Sequence, residues 1–252
     1  MRTVLALLLS VLSVLAQQNI GNPFYTASHL FASGPTVCAM GLTGIGQTNT
    51  TTGATSYTLA TSNTPVVNSL MLVGVASGVT GGPPVPTLAG HGTTWVLIAT
   101  TNWGNYRVSL FRSMTNNTPT ATDVTVSFGA SSQWGCNMRG VYITNVNTSG
   151  TWGSGAITQS TMLTNSTADP VLTLSALSGS TNAVYAYFVN AINGYGGTID
   201  AGWTQDINNG FNTTATGQYG QYAIATSDNT PSHTRAATAW GGIAVEIQKA
   251  CP

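Results

Sequence analysis

The strongest constraint on this chain is a pair of short apolar runs that sit at corresponding places in its two halves. The segment Asn68-Ser-Leu-Met-Leu-Val-Gly-Val75 is echoed by Asn182-Ala-Val-Tyr-Ala-Tyr-Phe-Val189. Both alternating sets of residues 70–75 are apolar, so a strand there is central in its sheet or covered on both faces. A strand containing Trp95 then corresponds to one containing Trp203, residues 106–111 correspond to 219–224, and residues 139–143 to 241–245. Each half thus supplies a similar run of strands in the same order. Neither half has enough residues to bury two faces comfortably by itself, which predicts one sandwich made from both halves and not two tandem domains.

Other runs show the simple period of a half-buried strand. Val124, Val126 and Phe128 share one face of their segment, and Asp123, Thr125 and Ser127 share the other. Helical periodicity is nearly absent beyond the first residues, and Gly, Pro, Asn and Ser punctuate the runs at close spacing. The expected fold is all-β: a single antiparallel β-sandwich, jelly-roll-like, with a quasi-repeated strand order in two halves.

The sandwich domain is expected over residues 36–252. Residues 1–16 read as a secretory signal peptide, with Arg2, an apolar run from Val4 to Leu15 and the small Ala16 before Gln17. That run is too short for a membrane span, which needs about 20 apolar residues, so the protein is expected outside the cell or on its surface. Residues 17–35 carry Phe24, Tyr25 and Phe31. They read either as an N-terminal strand packed on its own sandwich or as an arm that adds a strand to a neighbouring molecule.

Charge is scarce. Of 252 residues, six are Lys or Arg and six are Asp or Glu, 5 % in all, while 42 % are hydrophobic; an average domain is about one quarter charged. Phosphate recognition needs several cations on one face. Here Arg107, Arg112, Arg139, Arg235 and Lys249 are scattered along the sequence, so nucleic acid is not an expected partner. An uncharged Thr, Ser and Asn surface has little repulsion to keep copies apart, and it suits self-association or glycan cover. Five sequons, at Asn49, Asn116, Asn147, Asn165 and Asn212, are possible glycosylation sites in a host that glycosylates.

The succession of residues 69–75, Thr94-Trp-Val-Leu97, Arg107-Val-Ser-Leu-Phe-Arg112, Val124-Thr-Val-Ser-Phe128, Gly140-Val141 and the closing Trp240-Gly-Gly-Ile-Ala-Val-Glu246 resembles secreted β-sandwich modules of largely unassigned function found in microbial surface and extracellular proteins. The resemblance covers roughly residues 63–248. Its motifs are strand patterns, so it implies the fold and an extracellular setting and no particular chemistry.

Three cysteines, Cys38, Cys136 and Cys251, leave at least one without a partner in the chain. A Cys38–Cys251 bridge would close nearly the whole domain and constrain the unfolded chain most. Zinc is not expected, because His29, His91 and His233 are isolated and no paired-ligand spacing occurs. The stretch Asp206-Ile-Asn-Asn-Gly210 reads as a turn whose Asp206, Asn208 and Asn209 offer oxygen ligands to calcium, against a plain Asx turn. No other cofactor is implied.

Catalysis finds little to work with. Asp123, Asp169 and Asp228 read as turn or strand-end residues, and Glu246, alternating with Ile243, Val245 and Ile247, reads as solvated. Asp200 and Asp206 flank Trp203. On one extended strand they would stand about 20 Å apart, too far for a glycosidase dyad. His91, between Gly90 and Gly92, reads as exposed in a flexible turn, and no Gly-x-Ser-x-Gly elbow is present. A secreted hydrolase is therefore the outsider.

The remaining candidates are aromatic. Trp103, Trp134, Trp152 and Tyr195 each precede a glycine, and Tyr106 follows closely on Trp103. Such loop aromatics, with amides beside them, either stack on sugar faces or fold over the ends of the sandwich as lids. The sequence thus points to a non-catalytic structural or adhesive protein acting by self-association, as an oligomer or filament subunit, or by surface attachment. The alternative is a carbohydrate-binding module built on Trp103, Tyr106, Trp134, Trp152 and Tyr195.

Overall fold

The computed structural model describes residues 38–250 except 62, 116–118, 121, 192–195 and 212–215. The expected signal peptide and N-terminal arm, together with Cys251, Tyr195 and the sequons at Asn116 and Asn212, lie outside the described residues. Among the described residues fifteen strands follow in order: β1 Gly41–Thr50, β2 Ser56–Leu59, β3 Leu70–Gly78, β4 Thr87–Ala89, β5 Val96–Trp103, β6 Tyr106–Ser113, β7 Val124–Ser127, β8 Gly135–Thr144, β9 Ile157–Asn165, β10 Ala183–Asn190, β11 Thr198–Ile199, β12 Thr204–Phe211, β13 Thr216–Ile224, β14 His233–Thr234 and β15 Trp240–Ile247.

Two five-stranded antiparallel sheets carry the echo seen in the sequence. The first has the order β1-β8-β3-β6-β5 and the second β12-β13-β10-β15-β9. Read from the other side, the second is β9-β15-β10-β13-β12, the same order with every strand replaced by its counterpart. The sheets pack face to face, with β1 against β12 at one edge and β5 against β9 and β15 at the other. Each edge therefore joins a strand of one half to the non-equivalent strand of the other, as halves related by a twofold require. Leu70, Leu72, Val108, Leu110, Val141 and Ile143 of the first sheet meet Tyr185, Tyr187, Val189, Ile243, Val245 and Ile247 of the second in one buried core.

Each large sheet is also covered on its outer face. The short sheet β2-β7-β4 lies over the first, enclosing Ile45, Leu59, Met71, Val73, Phe111, Val124, Val126 and Met138. Over the second lie β11 and β14 and the segment around Leu172 and Leu174, enclosing Val184, Phe188, Trp203, Tyr219, Trp240 and Ala244. Four layers enclose three cores, which extends the single two-sheet sandwich expected. This double cover is why β3, β10 and β15 are buried at every position and read as apolar on both faces. Strands β1 to β4 alternate between the five-stranded and three-stranded sheets, as in a jelly roll, but β5 stays beside β6 in the larger sheet.

Most polar residues buried in the stack are neutral, and two charged sites inside it are fully partnered. Between the two large sheets, Arg139 of β8 donates from Nε to Asp206 Oδ2 at 2.9 Å and from Nη2 to Oδ1, while Tyr185 Oη donates to Asp206 at 3.1 Å. It is a bidentate pair with the Asp206 side chain 2 % exposed. On the outer face of β15, Glu246 is fully buried. It accepts hydrogen bonds from the Ser178 amide and hydroxyl, Asn182 Nδ2 and Gln159 Nε2 at 2.7–2.8 Å. Cys38 is disulfide-bonded and Cys136 is a buried free thiol. Among the described residues no helix is long and apolar enough to cross a membrane.

Candidate functional site

Three of the five predicted aromatics are brought together at one end of the stack. β5 and β6 form a hairpin whose last pair is Trp103 opposite Tyr106, a cross-strand aromatic pair fixed by the two-residue turn Gly104-Asn105. Gly104 takes φ +55, the positive value that a type II′ turn demands at its first position. Asn105 ties the tip down: its Oδ1 accepts from the Gly81 amide at 3.1 Å and its carbonyl from the Val79 amide at 2.9 Å. Trp103 and Tyr106 are stacked with centroids 6.0 Å apart and planes at 28°, and Trp134 meets Tyr106 edge-on at 6.2 Å. All three rings are half-buried.

Glycine sets the position of this cluster from both sides. A Cβ on Gly241 of β15 would overlap the six-membered ring of Trp103, and one on Gly78 would press on Tyr106 and Trp134 at 3.1 and 3.2 Å. Trp103 therefore rests on the backbone of the second sheet while its hairpin belongs to the first. Between hairpin and second sheet lies an open groove of about 460 Å³. It is lined by Trp103, Asn105, Tyr106, Thr164, Asn165 and Ser166, with Ala191 and Ala239 also on its wall. Among the described residues no carboxylate, histidine, lysine or arginine lines it. Aromatic carbon beside amides and hydroxyls is the surface a neutral sugar needs, with rings for its C–H faces and amides for its hydroxyls.

Trp152 is placed elsewhere. It lies beyond β8, near the start of β3 and the end of β6, and it is 43 % exposed. Tyr195 lies outside the described residues. Of the sequons, Asn49 and Asn165 are exposed on β1 and β9, while Asn147 donates from Nδ2 to Gln248 at 2.7 Å.

Several expectations about charged residues and histidines are corrected. Asp206, Asn208 and Asn209 do not form a turn; they lie on β12, which pairs with β13 to its end after a bulge between Gln205 and Ile207. The Asp206 carboxylate is occupied by Arg139, and Asn208 and Asn209 bond within the protein. Asp200 and Asp206 are not on one extended strand, because a turn at residues 201–202 separates them. Glu246 is buried where solvation was expected. By itself burial would raise its pKa, but hydrogen bonds from Asn182, Gln159, Thr158 and Ser178 outweigh that and hold it at about 2.

His91 is buried, at φ +56, with Nδ1 2.9 Å from the Thr120 carbonyl and its amide donating to Thr122 Oγ1. The partners lie some thirty residues away, out of reach of a local reading. His233, also buried, stacks on Tyr219 at 4.4 Å and meets Phe188 edge-on at 4.7 Å. Desolvation, with Arg235 nearby, pushes its pKa down to about 3, so it is neutral at physiological pH.

The remaining acids hold loops together. Asp123 accepts from the Thr61 amide, Asp169 from the Arg235 amide, Asp200 from the Ser232 hydroxyl, and Asp228 from Trp203 Nε1 and Thr230. Each of the chain's six carboxylates is thus committed to an internal partner. No protein-family model matches this chain, and no curated protein or solved structure is significantly similar to it.

Proposed function

We propose that this chain is a non-catalytic, extracellular adhesive protein that attaches to neutral glycans through the groove between the β5–β6 hairpin and the end of β9. The observation that carries the reading is the Trp103–Tyr106–Trp134 cluster, held by a tight turn beside a groove lined by amides and hydroxyls without charge. The internal engagement of all six carboxylates supports a binding role over hydrolysis, since a glycosidase needs two of them facing the substrate. Export rests on the reading of residues 1–16. The test is binding of the purified protein to a panel of immobilised neutral polysaccharides, compared with Trp103→Ala and Tyr106→Ala. Loss of a base-stacking aromatic costs about 1–3 kcal/mol in other ring-stacking sites, so each variant is expected to bind at least fivefold more weakly. Binding undiminished in both variants refutes the site.

A second reading, self-association, is favoured by β9. All four edge strands of the large sheets carry a bulge, at Gly44/Gly46 in β1, Leu97/Ala99 in β5 and Gln205/Ile207 in β12, and in β9 at Thr158, its second residue, which leaves the longest unbroken run of the four. From Gln159 to Asn165, β9 pairs with β15 without interruption. It has neither charge nor proline, and Met162 and Leu163 are 52 % and 43 % exposed. Natural edges are usually blunted by charge, proline or bulges, so this one suits pairing with a second copy. Light scattering across a concentration series would detect dimers or filaments that Leu163→Lys abolishes; a monomer at every concentration rejects this reading.

A further inference from the structure

We infer that the loop carrying Trp152 forms a second glycan-binding site at the opposite end of the stack, making the protein bivalent; this rests on the reading of the Trp103 groove as a glycan site. Trp152 has φ +53, a conformation a bulky L-residue adopts at a cost of about 1–3 kcal/mol and keeps only where its surroundings impose it. Those surroundings are visible. Arg112 of β6 donates from Nη1 to the carbonyls of Thr151 and Trp152 at 3.1 and 2.6 Å. Ser154 closes the turn, its Oγ accepting from the Thr151 amide and its amide donating to the Thr151 carbonyl. Gly153, at φ +80, packs where a Cβ would press on Leu70 and Met114.

The backbone is therefore fixed from beneath while the indole above it is left 43 % exposed. A tryptophan used as a lid would be covered by what it closes. This one borders an open cavity of about 390 Å³ lined by Asn68, Met114, Thr115, Thr148 and Thr151, with three glycines completing the wall. The chemistry repeats that of the first groove: an aromatic ring, an amide and several hydroxyls, with no ionisable lining group among the described residues. Arg112 is engaged by the loop carbonyls and holds the backbone under the ring in place. An uncharged sugar ring fits this combination of a stacking face with neutral hydrogen-bonding groups.

The two sites stand at opposite ends of β6. Tyr106 begins that strand and Met114 follows its last residue, so about eight residues at roughly 3.4 Å each separate them, or about 25 Å. Two sites at opposite ends of the stack can join two separate chains. Bridging then adds avidity on a dense glycan surface beyond what either site gives alone.

The experiment uses the full chain with soluble β-glucan, xylan and galactomannan as long-chain probes and the matching hexasaccharides as short ones. Wild type is expected to bind two hexasaccharides per chain. It is also expected to cross-link the polysaccharide, with turbidity that peaks at an intermediate ratio and falls when protein is in excess. Trp152→Ala, a change at an exposed ring, is expected to bind one hexasaccharide and lose turbidity at least tenfold, with Trp152→Phe restoring most of it. Tyr106→Ala is expected to keep one hexasaccharide site and likewise lose cross-linking. Wild-type stoichiometry of one, or Trp152→Ala that cross-links undiminished, overturns the second site while leaving the first standing. Absence of binding to every probe overturns both.

Discussion

Glu246→Gln tests the stack at its least forgiving point, because the wild-type carboxylate is fully buried without a cation beside it. Its charge is carried by donors alone: the Ser178 amide and hydroxyl, Asn182, Gln159 and Thr158. Holding the acid at about 2, against 4.5 for a free side chain, corresponds to about 3 kcal/mol at roughly 1.4 kcal/mol per factor of ten in proton affinity. The folded pKa lies below the unfolded one. The contribution is therefore complete above pH of about 5 and is lost as the pH falls toward 2. Gln keeps the shape and one acceptor oxygen but turns an N–H₂ toward a cage built of donors, so the cost at neutral pH is about 2–4 kcal/mol. Urea unfolding followed by tryptophan fluorescence measures it. The difference between wild type and variant should shrink by about 3 kcal/mol between pH 5 and pH 2. Other titrating groups cancel in that difference if they act independently of the site. A difference that stays constant across this range would mean that the cage does not favour the ionised form, and the reasoning fails.

Three further outcomes follow from the same interior. Asp206→Asn should cost about 3 kcal/mol in the same assay by leaving Arg139 unpaired at the seam between the sheets, and adding Arg139→Met should recover part of that loss. His233, held down to about 3 from 6.5, binds its proton more readily when unfolded; stability should fall by as much as about 4 kcal/mol as the pH drops from 6.5 to 3, with a shallower slope in His233→Phe. Gly241→Ala places a methyl in the ring of Trp103, so glycan binding at the first groove should fall at least tenfold while cooperative unfolding is kept, and circular dichroism separates the two effects.

The repeated strand order was legible because each sheet is complete within one half of the chain. The central strands β3 and β10, apolar on both faces, mark the middle of each sheet in the sequence itself. Glu246 was misread for the same reason that β3 was read well. Alternation assigns Ile243, Val245 and Ile247 to a core and their neighbours to water only where one face of the sheet is open, and β15 has none. Ala244 and Glu246 face the outer cover of the second sheet instead. Asp206 and His91 were out of reach because their partners, Arg139 and Thr120, are supplied by distant strands and loops. The Asn208-Asn209-Gly210 run looks like a turn locally, yet the ladder with β13 extends over all three residues. The aromatics were legible as residues, and their placement was not: Trp103, Tyr106 and Trp134 cluster while Trp152 lies elsewhere. Their division follows from β6, which sends Tyr106 to one end of the stack and Met114, beside the Trp152 loop, to the other.

The scarcity of charge has two separate causes, and only one of them is folding. In β3, β10 and β15 every position is enclosed, so a charge must bring its own partners, as Glu246 does, or be left out. Enclosure explains nothing about loops and edge strands. There, uncharged residues stand at exposed positions open to Lys or Glu, among them Ser160, Met162, Leu163 and Asn165 of β9, and both aromatic sites are walled by neutral side chains. Neutrality at those places has chemical consequences of its own: it gives a sugar hydroxyls and amides to bond without an ion to desolvate, and it leaves β9 without the charge that keeps edges apart. Introducing Lys into β9 and Lys beside Trp152 therefore separates the two properties. Leu163→Lys should abolish assembly with glycan binding intact, and Thr148→Lys should weaken the second site for neutral chains with assembly intact. If either substitution removes both properties together, adhesion and self-association share one surface and the assignment of separate sites is wrong.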